Sequence, residues 1–163
     1  NVNFLSQLCV TIPGVSYLHS NVTVMNGVAV VGVNGWYKSH KNLGMIESGY
    51  MSSYMYDDLA YLNSTIKKLQ LHMEVKDIIV ISNSIPDKAL YYGEDKSEYD
   101  EIGLTTCVAA DTEKKIKTWC FGHYHKPVDR QYMGVRYVSN PHGRGNTPWC
   151  QQVYYPKRIE VSF

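Results

Sequence analysis

The sequence lacks the features that mark several classes of protein. It contains no apolar run of membrane-spanning length and no recognisable signal peptide, so we expect no contact with a membrane. Its 16 Lys and Arg nearly balance its 15 Asp and Glu, so no overall basic field attracts nucleic acid. The four cysteines are scattered and form no Cys-x-x-Cys pair of a zinc ribbon. A reducing cytoplasm is the favoured location, and a Cys107–Cys150 bridge is the alternative.

Apolar residues recur along the chain with the helix and strand periods of an α/β domain. At 163 residues the chain has the length of a single domain that can bury a core. Residues 22–25 and 28–33 flank an Asn-Gly pair, which favours the type I′ turn of a β-hairpin. Apolar residues at spacings of three and four predict a helix over 54–73. The β-branched run at 78–81 then predicts a strand that is buried on both faces.

Weaker patterns place the remaining elements. Residues 35–53 are rich in glycine, serine and tyrosine, so we predict a loop there. Asp57 and Asp58 would then lie in the first turn of the next helix, where carboxylates interact favourably with the helix dipole. Two further strand pairs are predicted, a hairpin over 130–138 and edge strands at 153–155 and 158–161.

The most specific local pattern is a histidine pair that follows a buried strand. Residues 115–121 are largely apolar and predict a short strand, which Gly122 ends. His123 and His125 follow on a turn, where both rings can be directed into one space. Neutral imidazole is a common ligand of zinc, iron, nickel and copper. The pattern therefore predicts half of a metal site at the edge of a sheet, and the alternative is a chance pair on a surface turn.

Four segments of the chain are similar to motifs of one enzyme family. Residues 122–125, Gly-His-Tyr-His, resemble the last motif of the calcineurin-like metallophosphoesterases. Residues 82–86, Ser-Asn-Ser-Ile-Pro, resemble the preceding motif, in which a strand ends in Thr/Ser-His-His-x-Pro. Residues 31–36 resemble the Gly-x-x-x-Trp segment of a bacterial and phage branch, and residues 137–143 resemble its closing Asn-Pro-x-Gly. The resemblance implies an α/β fold of mixed β-sheets covered by helices, either a four-layer sandwich or the C-terminal part of one.

The chain departs from the family pattern in two places. The Asp-x-His, Gly-Asp and Gly-Asn-His-Asp/Glu motifs of the family's N-terminal half are absent. The chain therefore also lacks the family's aspartate that bridges two metals and the family's histidine that acts as general acid. In the fourth motif, Asn83 stands where the family has a ligand histidine. We therefore expect residues 1–163 to form a single phosphoesterase-type domain that lacks its N-terminal part.

The resemblance also implies which residues form the site. His123 and His125 would each bind a different metal, and Asn83 would offer a carbonyl oxygen. The implied ions are Mn²⁺, Fe or Zn²⁺, up to two of them, bound weakly or absent because three neutral donors include no carboxylate. The candidate substrate-binding residues are His40, Asn140 and His142. For His40 and His142, the alternative is a solvated position on a loop.

The function implied is metal-dependent hydrolysis of a phosphoester by a phosphatase or phosphodiesterase. The substrate would be a phosphorylated small molecule, a nucleotide or a nucleic acid, and a partner segment or subunit would complete the sheet. Two alternatives remain open at this point. The chain is a degenerate phosphoesterase fold that acts as a non-catalytic binding or scaffold module, or it is a plain α/β binding domain.

Overall fold

The structure is a computed structural model, and it describes residues 2–35, 44–92, 106–142 and 155–161. Within these ranges the chain forms three α-helices, a short 3₁₀ helix and six β-strands. In chain order the elements are α1 (Val2–Val10), β1 (Asn21–Met25), β2 (Val28–Val33), α2 (Met45–Leu71), β3 (Asp77–Ser82), the 3₁₀ helix (Lys88–Leu90), α3 (Thr106–Ala110), β4 (Ile116–Phe121), β5 (Val128–Tyr132) and β6 (Val135–Ser139). None of the described helices combines the length and the apolar character that crossing a membrane requires.

The strands of these ranges form one mixed sheet in the order β1-β2-β3-β4-β6-β5. β2, β3, β4 and β6 run parallel to one another, whereas β1 and β5 are antiparallel edge strands. The predicted α/β fold, a mixed sheet flanked by helices, is therefore confirmed. Because four strands are parallel, their carboxyl ends lie along the same edge of the sheet, where ligands of open α/β sheets bind. A second sheet, which a four-layer sandwich requires, does not occur among the described residues.

Both predicted hairpins occur, and their turns show why the sequence predicts them. Asn26 and Gly27 have φ angles of 51° and 80°, the left-handed values that a type I′ turn requires. Met133 and Gly134 repeat these angles, 51° and 80°, between β5 and β6. In each turn a glycine therefore occupies one of the two left-handed positions without steric cost.

The core lies on one face of the sheet, against α2. Trp119 of β4 and Tyr137 of β6 are fully buried there, and their stacked rings have centroids 6.0 Å apart. Leu62 and Ile66 of α2 are also fully buried, one helical turn apart, as the predicted apolar stripe requires. Burying a large apolar side chain contributes about 1.5–3 kcal/mol, so this face provides most of the apolar stabilisation of the sheet.

The opposite face of the sheet is less covered than the sequence predicts. Gly32 of β2 lies so close to Leu18 that an added Cβ atom would be 2.6 Å from it. Further along this face, however, Ile79 is half-buried and Ile81 is 40% exposed. The prediction that 78–81 is buried on both faces is therefore wrong for the described structure. An unbroken apolar run does not say how completely each face is covered.

Helix α2 begins at Met45 rather than at residue 54, so the predicted loop is wrong for residues 45–53. Met45 is 90% exposed and Ile46 is 76% exposed, which means that the first turns carry no burial pattern for the sequence to reveal. The signal that the helix starts here is Glu47. Its carboxylate accepts a hydrogen bond of 3.1 Å from the Gly44 N–H, half of a capping box.

Because α2 starts early, Asp57 and Asp58 lie in its middle and not in its first turn, and the helix-dipole explanation is wrong for them. Asp58 is only 4% exposed. Its Oδ2 accepts a hydrogen bond of 2.8 Å from the Gly35 N–H. This contact ties Gly35, just past the end of β2, to the middle of α2.

One further expectation is corrected. Residues 155–161 form no strand, so the edge strand predicted at 158–161 is wrong. The edge strand predicted at 153–155 lies mostly outside the described residues. Cys107 is a buried free thiol, and Cys150, the other half of the alternative Cys107–Cys150 bridge, lies outside the described residues. Burial raises the pKa of Cys107 to about 12, so this side chain is an unreactive part of the core.

Candidate metal-binding edge of the sheet

Three neighbouring parallel strands end in residues whose backbones hydrogen bond to one another. Directly after β2 comes Asn34, after β3 comes Asn83 and after β4 comes Gly122. The last residues of these three strands are partners in the strand register. The Asn83 N–H donates to the Asn34 carbonyl at 2.9 Å, and the Gly122 N–H donates to the Asn83 carbonyl at 3.1 Å. The ladder therefore continues one residue past the strands, and three loops leave the sheet from fixed positions.

Gly122 suits the close approach of these strand ends. A Cβ atom at this position would lie 3.3 Å from the Asn83 carbonyl oxygen, closer than an ordinary van der Waals contact. Glycine lets the backbone of β4 approach β3 at the point where the strand ends. The histidine turn that follows is thereby held against the loop that carries Asn83.

The turn after Gly122 holds its two histidines in an unusual backbone conformation. His123 and His125 have φ angles of 60° and 55°, in the left-handed region that costs an ordinary residue roughly 1–2 kcal/mol. The Tyr124 N–H donates to the Gly122 carbonyl at 2.6 Å, which closes a three-residue γ-turn around His123. Both histidines are exposed, and their ring centroids lie 6.2 Å apart with the planes tilted by 48°. Backbone strain of this kind concentrates at functional sites.

Tyr124, between the two histidines, anchors this turn in the core. It is 6% exposed, and its ring centroid lies 5.1 Å from that of Tyr91. Its hydroxyl oxygen accepts a hydrogen bond of 2.6 Å from the Tyr92 N–H. Burial raises the pKa of the Tyr124 phenol, so the buried group stays neutral. The buried tyrosine thus offsets the strain of its exposed neighbours.

A buried hydrogen-bond network supports the same edge from below. The Trp119 indole N–H donates to the Ser82 hydroxyl oxygen at 2.9 Å, and that hydroxyl donates to the Ser84 carbonyl at 2.7 Å. Ser82 and Ser84 are each 3% exposed. Through the Ser82 hydroxyl, the Trp119 side chain therefore fixes the chain on both sides of Asn83. Asn83 itself is exposed.

The two histidine rings fit part of a metal site. A metal about 2 Å from a ring nitrogen lies about 3 Å from the ring centre. The 6.2 Å between centroids is about twice this distance, so it is compatible with one ion between the two rings or with one ring on each of two neighbouring ions. Asn83 can add an amide oxygen. Among the described residues, however, no three His, Cys, Asp or Glu side chains group closely enough to hold a metal, so these residues do not fit a complete two-metal centre.

The three candidate substrate-binding residues differ in where they lie in the structure. Asn140 directly follows β6, so it lies at the same edge of the sheet, and its side-chain N–H donates to the Tyr155 carbonyl at 2.9 Å. This contact holds the returning chain at the edge. His142 is exposed two residues further on. His40 lies outside the described residues.

Sequence reasoning missed several residues that build this edge. Asp58 holds the Gly35 N–H, a role that the sequence analysis did not assign to it. Tyr92 and Arg130 lie beside the histidine turn, where the Arg130 guanidinium carbon is 5.9 Å from the centre of the Tyr92 ring. The available signal was the unusual frequency of tyrosine, 14 residues, but a count does not say which rings are exposed.

Comparison with known proteins provides little that is specific. No protein-family model and no curated protein matches the chain. Among solved structures, the chain is similar to a Staphylococcus aureus protein described provisionally as a 5′-nucleotidase and crystallised with alpha-ketoglutarate. The identity is 12%, the TM-score is 0.44, and the match covers 74% of this chain and 23% of that chain. The chain thus corresponds to less than a quarter of that protein, and a likeness of this strength carries no argument about activity.

Proposed function

We propose that this chain is the C-terminal part of a calcineurin-like metallophosphoesterase domain, and that its carboxyl edge takes part in metal-dependent hydrolysis of phosphoesters. One observation carries the proposal. The segments that resemble the family are far apart in the sequence, yet all follow carboxyl ends of neighbouring parallel strands. Asn34 follows β2, Asn83 follows β3, His123 follows β4 and Asn140 follows β6. A shared ligand site at this edge explains why these separate segments resemble motifs of one family.

The chemistry of such a site divides between the ions and the chain. Bound cations would clamp the attacking and leaving oxygens of a phosphoester and lower the pKa of a coordinated water. His123 and His125 would each hold an ion through a neutral imidazole nitrogen, and Mn²⁺, Fe and Zn²⁺ all accept this ligand. Asn83 would contribute its amide oxygen. The left-handed backbone of the turn would keep both rings directed outward, where a substrate phosphate can reach them.

The remaining ligands have to come from elsewhere. A pair of cations needs a carboxylate to offset their repulsion, and the described residues place none beside the two histidines. We propose that a segment or a partner subunit beyond these residues supplies it and completes the sheet. The substrate would be a phosphorylated small molecule, a nucleotide or a nucleic acid. The scattered cysteines favour a cytoplasmic setting for this reaction.

A second candidate function rests on a specific substitution. Asn83 and Ser84 occupy the positions at which the resembled family has two histidines. A site that lost imidazoles in this way would bind divalent ions poorly while keeping the shape of the edge. The chain would then act as a non-catalytic binding or scaffold module.

Metal titration tests the proposal directly. Calorimetry of the chain with Mn²⁺ or Zn²⁺ should detect binding, and His123→Ala and His125→Ala should each weaken it at least about tenfold. His72→Ala is the matched control, because His72 is an exposed histidine just past the end of α2, and its affinity should equal that of the unmodified chain. Unchanged binding in the His123→Ala variant would show that the turn is not a metal site.

Hydrolysis of bis-p-nitrophenyl phosphate with added Mn²⁺ separates the two candidate functions. Turnover by the chain, or turnover gained in an Asn83→His variant, supports the phosphoesterase. If the unmodified chain and the Asn83→His variant both bind metal but neither hydrolyses the substrate, the binding module is supported. The same test applies after adding any partner that completes the sheet.

A further inference from the structure

The histidine turn is joined to an aromatic and basic surface that the proposed chemistry does not use. Tyr92 is 56% exposed, and its backbone N–H is held by the hydroxyl of Tyr124, the residue between the two histidines. Tyr92 is therefore attached to the turn through a single tyrosine side chain.

Two basic side chains lie near the rings of Tyr92 and Tyr124. The Arg130 guanidinium carbon lies 5.9 Å from the centre of the Tyr92 ring, and its Nη1 donates to the Ala89 carbonyl at 3.0 Å. The Lys126 ammonium lies 5.9 Å from the centre of the Tyr124 ring. Both distances are within the range of cation–π attraction. We call Tyr92, Arg130 and Lys126 the aromatic-basic platform.

The charge of Arg130 is not cancelled by the neighbouring acid on β5. Asp129 precedes Arg130, so the two side chains point to opposite faces of the strand. Its carboxylate is already paired with Arg136 at 2.9 Å and with Lys157 at 3.1 Å. Asp87 faces the same segment, but one of its oxygens caps the 3₁₀ helix by accepting the Ala89 N–H at 2.7 Å. As far as the described residues show, the exposed Arg130 thus keeps an outward positive charge beside an exposed ring.

We propose that the aromatic-basic platform binds the base of a nucleoside monophosphate ester whose phosphate lies at His123 and His125. A flat base gains contact both from an aromatic face and from a planar guanidinium, and one stacked base contributes about 1–3 kcal/mol. Lys126 is a point charge suited to a phosphate oxygen. The placement of the phosphate rests on the proposed function, whereas the preference for a base rests on the platform alone.

Calorimetry with adenosine 5′-monophosphate and with ribose 5-phosphate, each with Mn²⁺ present, tests the platform. The two ligands carry the same phosphate and sugar, so their affinity ratio isolates the base. We expect the nucleotide to bind roughly 5- to 150-fold more tightly, which is the stacking contribution expressed as a ratio. Tyr92→Phe should keep this ratio, and Tyr92→Ala should reduce it to near one.

Two variants sharpen the result. Arg130→Lys keeps the charge but loses the planar surface, so it should lower the ratio while leaving ribose 5-phosphate binding unchanged. Tyr56→Ala is the matched control, because Tyr56 is a similarly exposed tyrosine on α2, 55% exposed, and it should change neither affinity. Equal affinities for the two ligands in the unmodified chain, or a preference that survives Tyr92→Ala, would overturn the inference.

The same titrations separate this inference from the proposed function. If His123→Ala leaves metal binding unchanged but Tyr92→Ala abolishes the preference for the nucleotide, the platform is supported and the metal site is wrong. If the metal requires the histidines but the nucleotide shows no advantage over ribose 5-phosphate, the metal site stands and the platform is wrong.

Discussion

The exposed turn at the carboxyl edge and the core beneath it are stabilised in opposite ways. In the core, Trp119 and Tyr137 are fully buried, and the Trp119 indole N–H has its hydrogen-bond partner in Ser82. In the turn, His123 and His125 are exposed and adopt left-handed backbone angles. The core is therefore stabilised mainly by apolar burial, while the turn is locally unfavourable and persists because the core holds it. A locally unfavourable segment on a well-packed base is the arrangement expected of a binding site.

Removing the core indole should have the largest effect on this contrast. Trp119→Ala deletes a fully buried ring and should lower the free energy of unfolding by about 3–5 kcal/mol. Urea unfolding measures the loss. Tyr56→Ala, which removes an exposed ring of α2, should stay within about 0.5 kcal/mol. A loss below about 1 kcal/mol for Trp119→Ala would mean that the core does not support the edge as described.

Removing only the hydroxyl beneath Asn83 should have an intermediate effect. Ser82→Ala leaves the buried Trp119 N–H without its partner and should cost about 1–3 kcal/mol. Ser64→Ala is the control, because the Ser64 hydroxyl donates to the Tyr61 carbonyl on the exposed side of α2, and its loss should cost less. Equal losses in the two serine variants would contradict a special role for the buried network.

Relieving the strained turn should separate stability from binding. His123→Gly permits the left-handed φ angle freely and should raise the free energy of unfolding by about 0.5–1 kcal/mol, while metal affinity falls. Met133→Gly is the matched control, since Met133 has a similar φ angle of 51° in the second hairpin. It should stabilise the chain equally and leave metal binding unchanged. A destabilised His123→Gly variant would show that the histidine side chain contributes contacts that outweigh the strain.

The smallest effect concerns a surface ion pair away from both regions. The hydrogen bond from Arg136 lowers the pKa of Asp129 from 3.8 to about 2. Because the folded pKa is lowered, the stabilisation is present above about pH 4 and is lost as the pH falls toward 2. The pair is partly exposed, so solvent screening limits it to under about 1 kcal/mol. The melting temperature of Asp129→Asn should match that of the unmodified chain at pH 2 and be slightly lower at pH 6. The same difference in melting temperature at both pH values would contradict this assignment.

The candidate site was predictable only where its residues form a local pattern. The histidine pair follows a strand and a glycine, so its place at a sheet edge is readable from neighbouring residues. Its left-handed backbone angles are not readable, because they depend on the burial of Tyr124 against Tyr91 and on the hydrogen bond from Tyr92. These contacts join positions 32 or more residues apart.

The amino-acid sequence alone determined the two hairpins, the positions of the apolar strands β3 and β4, and the histidine turn, because each of these depends on residues close together in the chain. Only the tertiary structure decided that α2 begins at Met45, that Asp58 holds Gly35, and that Tyr92 and Arg130 lie beside the histidines. These features depend on which distant segments pack together, and neither an exposed first turn nor an isolated tyrosine carries a periodic signal of its partner.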